Sequence, residues 1–173
     1  MSDFTSSESL RAIAQMVMIA DVVAVDAASA RARVKFGADA TSAWLPWLTE
    51  RASSIAVWAP PSEGEQVLCL SPSGQTRDAV ILGAIFSGPN PAPSASAGEH
   101  LIVVGGSSIS ITGGEIVLSS NGTTLTVNGA GMTIAGPSMQ VNTGSLSHNG
   151  TDVGDTHTHR DVTVGPDRTG DPK

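Results

Sequence analysis

Apolar and polar residues alternate along the first half of the chain in the way that β-strands require. Residues 23–36 contain two alternating runs separated by a short turn at residues 27–30, and Arg31, Arg33 and Lys35 occupy the polar positions of the second run. Successive side chains of a strand point to opposite faces. The pattern therefore predicts an antiparallel hairpin with one apolar face and one charged face.

Further strands are predicted at residues 55–59, 66–70 and 79–85, where apolar runs are separated by clusters of Pro, Gly and Ser. Serines followed by apolar residues at helical spacing predict a short helix within residues 1–15. About five strands suit a small Greek-key barrel of the OB type. Residues 16–88 are therefore predicted to form an OB-fold-like domain.

The second half of the chain has a different character, because it is nearly uncharged and repetitive. Between Leu101 and Thr151 the only charged residue is Glu115, while Gly, Ser, Thr and Asn dominate. Pairs of apolar residues separated by one residue recur there, with turn-forming residues between them. These pairs begin at Ile109, Ile116, Leu125, Met132 and Met139.

One copy of such a repeat cannot stabilise itself. Two inward apolar residues per strand contribute roughly 3–6 kcal/mol, whereas ordering costs about 1–2 kcal/mol for every residue fixed. Three chains wound together would share one apolar axis and pair their strand edges. Residues 100–153 are therefore predicted to form an intertwined trimeric β-helix, after a proline-rich linker at residues 89–99. The alternative is a disordered Gly/Ser-rich linker, against which the regular apolar pairs argue.

A histidine pair near the end of the chain is the candidate metal site. His157 and His159 lie two residues apart, so in an extended strand both imidazoles point to the same side. A threefold axis would collect six imidazoles, which suits octahedral iron or nickel better than tetrahedral zinc. Residues 154–173 are therefore predicted to form a metal-bound apex. The alternative is a pair of surface histidines, while His100 and His148 are interpreted as a loop residue and a turn residue.

Composition excludes several classes of function. The formal net charge of −7 disfavours binding to nucleic acid or to anionic membrane surfaces. No apolar run is long enough for a membrane-spanning helix, and no leader precedes the first strand, so a soluble cytoplasmic product is expected. Cys69 lies in an apolar run and is predicted to be a buried structural thiol. No motif of a hydrolase, a phosphate-binding loop or a carboxylate pair is present, so no enzyme is predicted.

Several motifs in the first half occur together in a recognisable order. They lie at residues 32–37, 41–48, 58–61, 64–67 and 70–74. Their order and spacing resemble the baseplate assembly protein V family, the central spikes of P2-like contractile-tail phages. The likeness extends from about Met16 to Ile85, and the terminal histidine pair resembles the tip motif of these spikes. Three tryptophans of this region, Trp44, Trp47 and Trp58, are interpreted as packing anchors under a long barrel loop.

The resemblance implies a fold and a function. The fold is all-β, with an N-terminal OB-fold collar, an intertwined trimeric β-helix and a metal-bound apex, where His157 and His159 of three chains hold one octahedral iron ion. The function is that of a structural baseplate spike in the virion, which contacts the baseplate hub and tail tube and pierces the host outer membrane during injection. The alternatives are a trimeric receptor-binding or adhesin module and the spike of a tailocin or related contractile device.

Overall fold

The computed structural model describes residues 2–38 and 40–154. The chain divides into two compact units, Met1–Ala97 and Gly98–Lys173, and each unit is described by itself. The boundary between the units falls within the segment that the sequence predicts as a linker, residues 89–99.

The first unit begins with helix α1, Ser2–Met16, which leads directly into a five-stranded antiparallel sheet. The strands follow the order β3-β2-β1-β4-β5 across this sheet. Their bounds are β1 Val17–Asp26, β2 Arg31–Phe36, β3 Ala40–Thr41, β4 Gln66–Leu70 and β5 Val80–Ile85. The predicted hairpin is confirmed as β1 and β2, and the turn between them occupies residues 27–30 as expected.

The core of the first unit comes from the inward positions of these strands. Val22, Val34, Val67 and Ile81 are almost completely buried, one from each of four strands. Leu45 completes the core from the loop after β3, because its backbone exchanges two hydrogen bonds with Ala32 of β2, with N···O distances of 2.8 and 2.9 Å. The alternation in the sequence therefore places the charged positions of β2 outward and the apolar positions inward.

The prediction of a strand at residues 55–59 is wrong. These residues form no strand, and the nearest pairing is an isolated bridge between Ala52 and Ala56. The run is apolar at every position and ends at Pro60 and Pro61, so it has no alternation, and the two prolines cannot donate backbone hydrogen bonds to a neighbour. Ile55 is accordingly 70% exposed.

The second unit is an antiparallel sheet in which each strand pairs with the next along the chain. The two edge strands are β6 and β10. The bounds are β6 Glu99–Val104, β7 Ser107–Thr112, β8 Glu115–Ser120, β9 Thr123–Asn128 and β10 Gly131–Ala135. A short hairpin follows, with β11 Ser147–His148 and β12 Thr151–Asp152.

Four of the five apolar pairs lie on strands of this sheet, as predicted. The fifth pair, which begins at Met139, lies outside any strand, and that prediction is wrong. Gly136 and Pro137 follow β10 directly, and a proline cannot continue the hydrogen-bond ladder. A mostly β structure is confirmed for the described residues, whereas winding between chains stays a prediction because a single chain does not test it.

Candidate assembly surface

One face of the second sheet is a continuous apolar surface. Residues directly opposite one another in antiparallel strands share a face, so the pairing register identifies the members of each row. The first row contains Ile102, Ile109, Leu118, Leu125 and Ile134. The second row, one pleat away on the same face, contains His100, Ile111, Ile116, Val127 and Met132. We call these two rows the apolar face.

Among the described residues of the second unit, none covers the apolar face. Ile109 is 39% exposed, Leu118 is 41% exposed and Met132 is 68% exposed. A groove of about 490 Å³ runs along the first row, lined almost entirely by apolar atoms. Soluble monomers rarely leave so large a contiguous apolar surface in water, and a single-layered sheet needs a second layer for stability. The apolar face is therefore a candidate surface for assembly.

The opposite face of the same sheet is predominantly polar. One row holds Ser108, Ser119 and Thr124 together with Val103 and Ala135, and the next holds Ser110, Thr126 and Thr133 together with Leu101 and Val117. The Ser110 hydroxyl donates a hydrogen bond of 2.6 Å to the Glu99 carboxylate, and the Asn128 amide donates one of 3.0 Å to the Glu115 carboxylate. This face is therefore more polar than the apolar face, although Val103 on it is 47% exposed. The sheet is therefore amphipathic, and its apolar face is the candidate for contact with a partner.

On one side, the apolar face is bordered by a row in which three of the four residues are polar. Val104 is followed across the sheet by Ser107, Ser120 and Thr123. The hydroxyls of Ser107 and Ser120 lie 2.8 Å apart and form a hydrogen bond. Apart from Val104, which is exposed and lines the groove, the apolar side chains of this face thus lie in the two apolar rows.

The predicted metal ligands cannot be located on this framework, since His157 and His159 lie outside the described residues. Among the described residues there is no group of three or more His, Cys, Asp or Glu side chains that could hold a metal ion. His100 lies in strand β6 on the apolar face, so its interpretation as a loop residue is wrong. His148 ends strand β11 and pairs with Thr151, so it lies one residue before the turn rather than in it.

The tryptophans show that part of the packing interpretation is wrong. Trp47 packs against the core of the first unit, and its ring lies 5.5 Å from that of Trp58. Trp58 is nevertheless 59% exposed, and Trp44 is 43% exposed. The Arg33 guanidinium lies over the Trp44 ring, with its carbon 4.9 Å from the ring centroid. Of the three tryptophans, only Trp47 is therefore a packing anchor, and Trp44 and Trp58 lie at the surface.

Two predictions about chemistry and membranes can be compared with the described residues. Cys69 is completely buried, as predicted, and its burial raises the pKa of the thiol to about 11. In the described part of the chain no helix is both long and apolar enough to span a bilayer.

Comparison with known proteins places the first unit in a defined class. Residues 18–86, which include nearly all of β1–β5, match the family described as the Type VI secretion system/phage-baseplate injector OB domain. This part of the chain therefore matches the OB domain of that family. The predicted OB-type domain is confirmed, and its position agrees with the motif-bearing region of the sequence.

A relative narrows the class further. The chain is 43% identical over 90 residues to the Spike protein of Escherichia phage P2, and the match covers 52% of this chain and 42% of that relative. The resemblance to the baseplate assembly protein V family that the sequence motifs indicated is thus confirmed. The matched part amounts to less than half of the relative's length.

Proposed function

We propose that the protein is the central spike of a contractile-tail baseplate and acts as a homotrimer. The uncovered apolar face of the second sheet carries this proposal. The injector OB domain in residues 18–86 and the similarity to a phage spike protein support it. In this proposal the first unit is a collar that contacts the baseplate hub and the tail tube, and the second unit is the shaft.

Energetics support burial of the apolar face between chains. Its two rows hold nine aliphatic side chains besides His100. Burying the remaining half of each contributes roughly 7–14 kcal/mol per chain, since full burial contributes about 1.5–3 kcal/mol per side chain. Each association step costs about 4–15 kcal/mol in lost freedom of movement. Three chains involve only two such steps, so assembly around one axis is favourable.

The mechanical role follows from the chemistry of the sheet. A shaft of this kind presents mainly Ser and Thr side chains to its surroundings and keeps the two apolar rows on the axis. Each chain is held along its length by backbone hydrogen bonds, which resist sliding. Sheath contraction would drive such a shaft through the host outer membrane without any reaction being catalysed. The protein is accordingly a structural component of the virion at the tip of the tail, not an enzyme.

The metal-bound apex is the part of the proposal that rests on sequence alone. His157 and His159 from three chains would supply six imidazoles to one iron ion, which would tie the chain ends together. Elemental analysis of the purified wild-type protein should find one iron for every three chains. The double variant His157→Ala/His159→Ala should lack iron and keep its trimeric mass. Equal iron content in both proteins would exclude this site.

The proposed function can be tested in the contractile-tail particle whose genome encodes the chain. Wild-type particles should show threefold density at the centre of the baseplate by electron cryomicroscopy. Particles carrying Leu118→Asp, which places a charge on the apolar face, should lack this density and fail to inject. Ser119→Asp, on the opposite face of the same strand, serves as the matched control and should leave both intact. Wild-type density elsewhere in the particle would contradict the proposal.

A second candidate is the same role in a tailocin or another contractile injection device. The description of the matched family includes the Type VI secretion system as well as phage baseplates. The same imaging experiment separates the candidates, because the particle that carries the spike is identified directly. A receptor-binding module would instead show saturable binding of the isolated trimer to host cells.

A further inference from the structure

His100 is the one ionisable residue of the apolar face. It lies directly opposite Ile111 in the register of β6 and β7, and Ile102 is its neighbour along the same strand and face. Every other member of the two rows is aliphatic. In a single chain the His100 side chain is exposed to water. The imidazole of His100 therefore loses contact with water only when another chain covers the apolar face.

Assembly around a threefold axis would bring three copies of His100 to the same level, and this inference rests on the proposed trimer. Sheets that pack face to face lie about 10 Å apart, so each sheet of a shaft lies roughly 5 Å from the axis. An imidazole nitrogen and a metal bond of about 2 Å together span that distance. Three imidazoles can thus reach one point on the axis.

The surroundings of His100 on the apolar face offer its imidazole no hydrogen-bonding partner. Its neighbours on the apolar face, Ile102 and Ile111, offer no hydrogen-bonding group. The nearest carboxylate in the sequence, Glu99, points to the opposite face, where the Ser110 hydroxyl donates to it. A buried polar group without a partner costs about 1–3 kcal/mol, and a buried cation costs more. Three unpaired imidazoles on one axis would therefore destabilise the shaft.

A divalent transition-metal ion removes this cost, because it binds one nitrogen from each imidazole. We propose that His100 from three chains forms a second metal site, inside the shaft and separate from the predicted apex. Three histidine ligands leave one tetrahedral position for water, an arrangement that zinc and cobalt adopt. The site is incomplete in one chain, since each copy contributes a single ligand.

The position of His100 gives the site a structural purpose. Strand β6 is an edge strand of its sheet and has only β7 as an intrachain neighbour. Edge strands fray first because one side of their backbone lacks partners. A metal ion bound to β6 of all three chains would hold these edges together. The site would therefore stabilise the beginning of the shaft.

The test uses the full-length chain with the other three of its four histidines, His148, His157 and His159, replaced by Ala. This protein should bind one Co²⁺ per three chains and show the visible absorption of tetrahedral cobalt. Replacing His100 by Ile as well should abolish this absorption while light scattering still finds three chains. Zn²⁺ should raise the thermal unfolding midpoint only when His100 is present.

The outcomes separate this inference from the proposed function. A trimer that binds no cobalt, or that binds it equally with Ile at position 100, overturns the His100 site and leaves the spike proposal standing. A folded single chain overturns both. If the triple variant fails to fold, Co²⁺ titration of wild-type protein against His100→Ile gives the same comparison, as a difference of one ion per three chains.

Discussion

Gly74 lies against the backbone of Ala12, so close that a Cβ atom at position 74 would overlap the Ala12 carbonyl oxygen. Gly74 also has a φ of +71°, a conformation that glycine adopts without strain. The amide of Ser71, at the start of the same turn, donates a hydrogen bond of 2.7 Å to the Met16 carbonyl. These two contacts fix helix α1 to the sheet of the first unit.

Gly74→Ala should therefore destabilise the first unit. We expect the free energy of unfolding to fall by about 2–4 kcal/mol, because the substitution adds both backbone strain and a steric overlap. Urea unfolding followed by tryptophan fluorescence measures this, since all three tryptophans lie in the first unit. Gly64→Ala is the matched control, with a φ of +84° and no atom within 4 Å of its added Cβ. Equal losses in the two variants would show that the contact with Ala12 contributes nothing.

The apolar face makes a prediction about assembly. Leu118→Asp should dissociate the proposed trimer, because assembly would bury an unpaired carboxylate at a cost of about 3 kcal/mol or more per chain. Light scattering of the purified variant measures the mass directly. Ser119→Asp adds the same charge to the polar face and should leave the mass unchanged. A trimeric Leu118→Asp protein would mean that this face is not the interface.

The sequence predicts strands correctly where apolar and polar residues alternate. It does not distinguish strands from loops where every residue is apolar. Arg31, Arg33 and Lys35 mark one face of β2, so the hairpin was predictable almost to the residue. Residues 55–59 are apolar at every position, so an exposed loop could not be distinguished from a buried strand. Strand β6 was missed as a strand for the same reason, because residues 101–104 form an unbroken apolar run beside the linker.

The assembly surface was only partly predictable. The apolar pairs indicated that the second half needs partners, and four of them lie on the apolar face. The role of His100 depends on its register opposite Ile111, which a pattern within one strand does not reveal. No alternation along β6 could have indicated it, because residues 101–104 are all apolar.

Cys69 predicts a loss of stability in alkaline solution. Burial raises the pKa of its thiol from 9.0 to about 11, so the folded state holds this proton more tightly than the unfolded state does. The associated stability is complete below pH 9 and is lost progressively as the pH rises towards 11. Urea unfolding across this range should show the decline, and Cys69→Val should show a smaller one. An equal decline in both proteins would assign it to other groups.

Asp26 predicts a local effect in acid. The Ser29 hydroxyl donates a hydrogen bond of 2.6 Å to its carboxylate, and the amides of Ser29 and Ala28 donate two more. These bonds, the hydroxyl first, lower the pKa of Asp26 below its ordinary 3.8. The stability they confer is present above that ordinary value and is lost as the pH falls through the lowered pKa. Ser29→Ala should raise the pKa of Asp26 in an NMR titration, and an unchanged pKa would contradict the assignment.

The mass of the purified native protein in solution tests the central claim most directly. Sedimentation equilibrium of dilute wild-type protein should give three times the 17.5 kDa mass of one chain. That result, together with dissociation of the Leu118→Asp variant, would mean that the apolar face is covered by two further copies. A stably folded particle of 17.5 kDa, with its second sheet intact by circular dichroism, would contradict the shared axis and every site built on it.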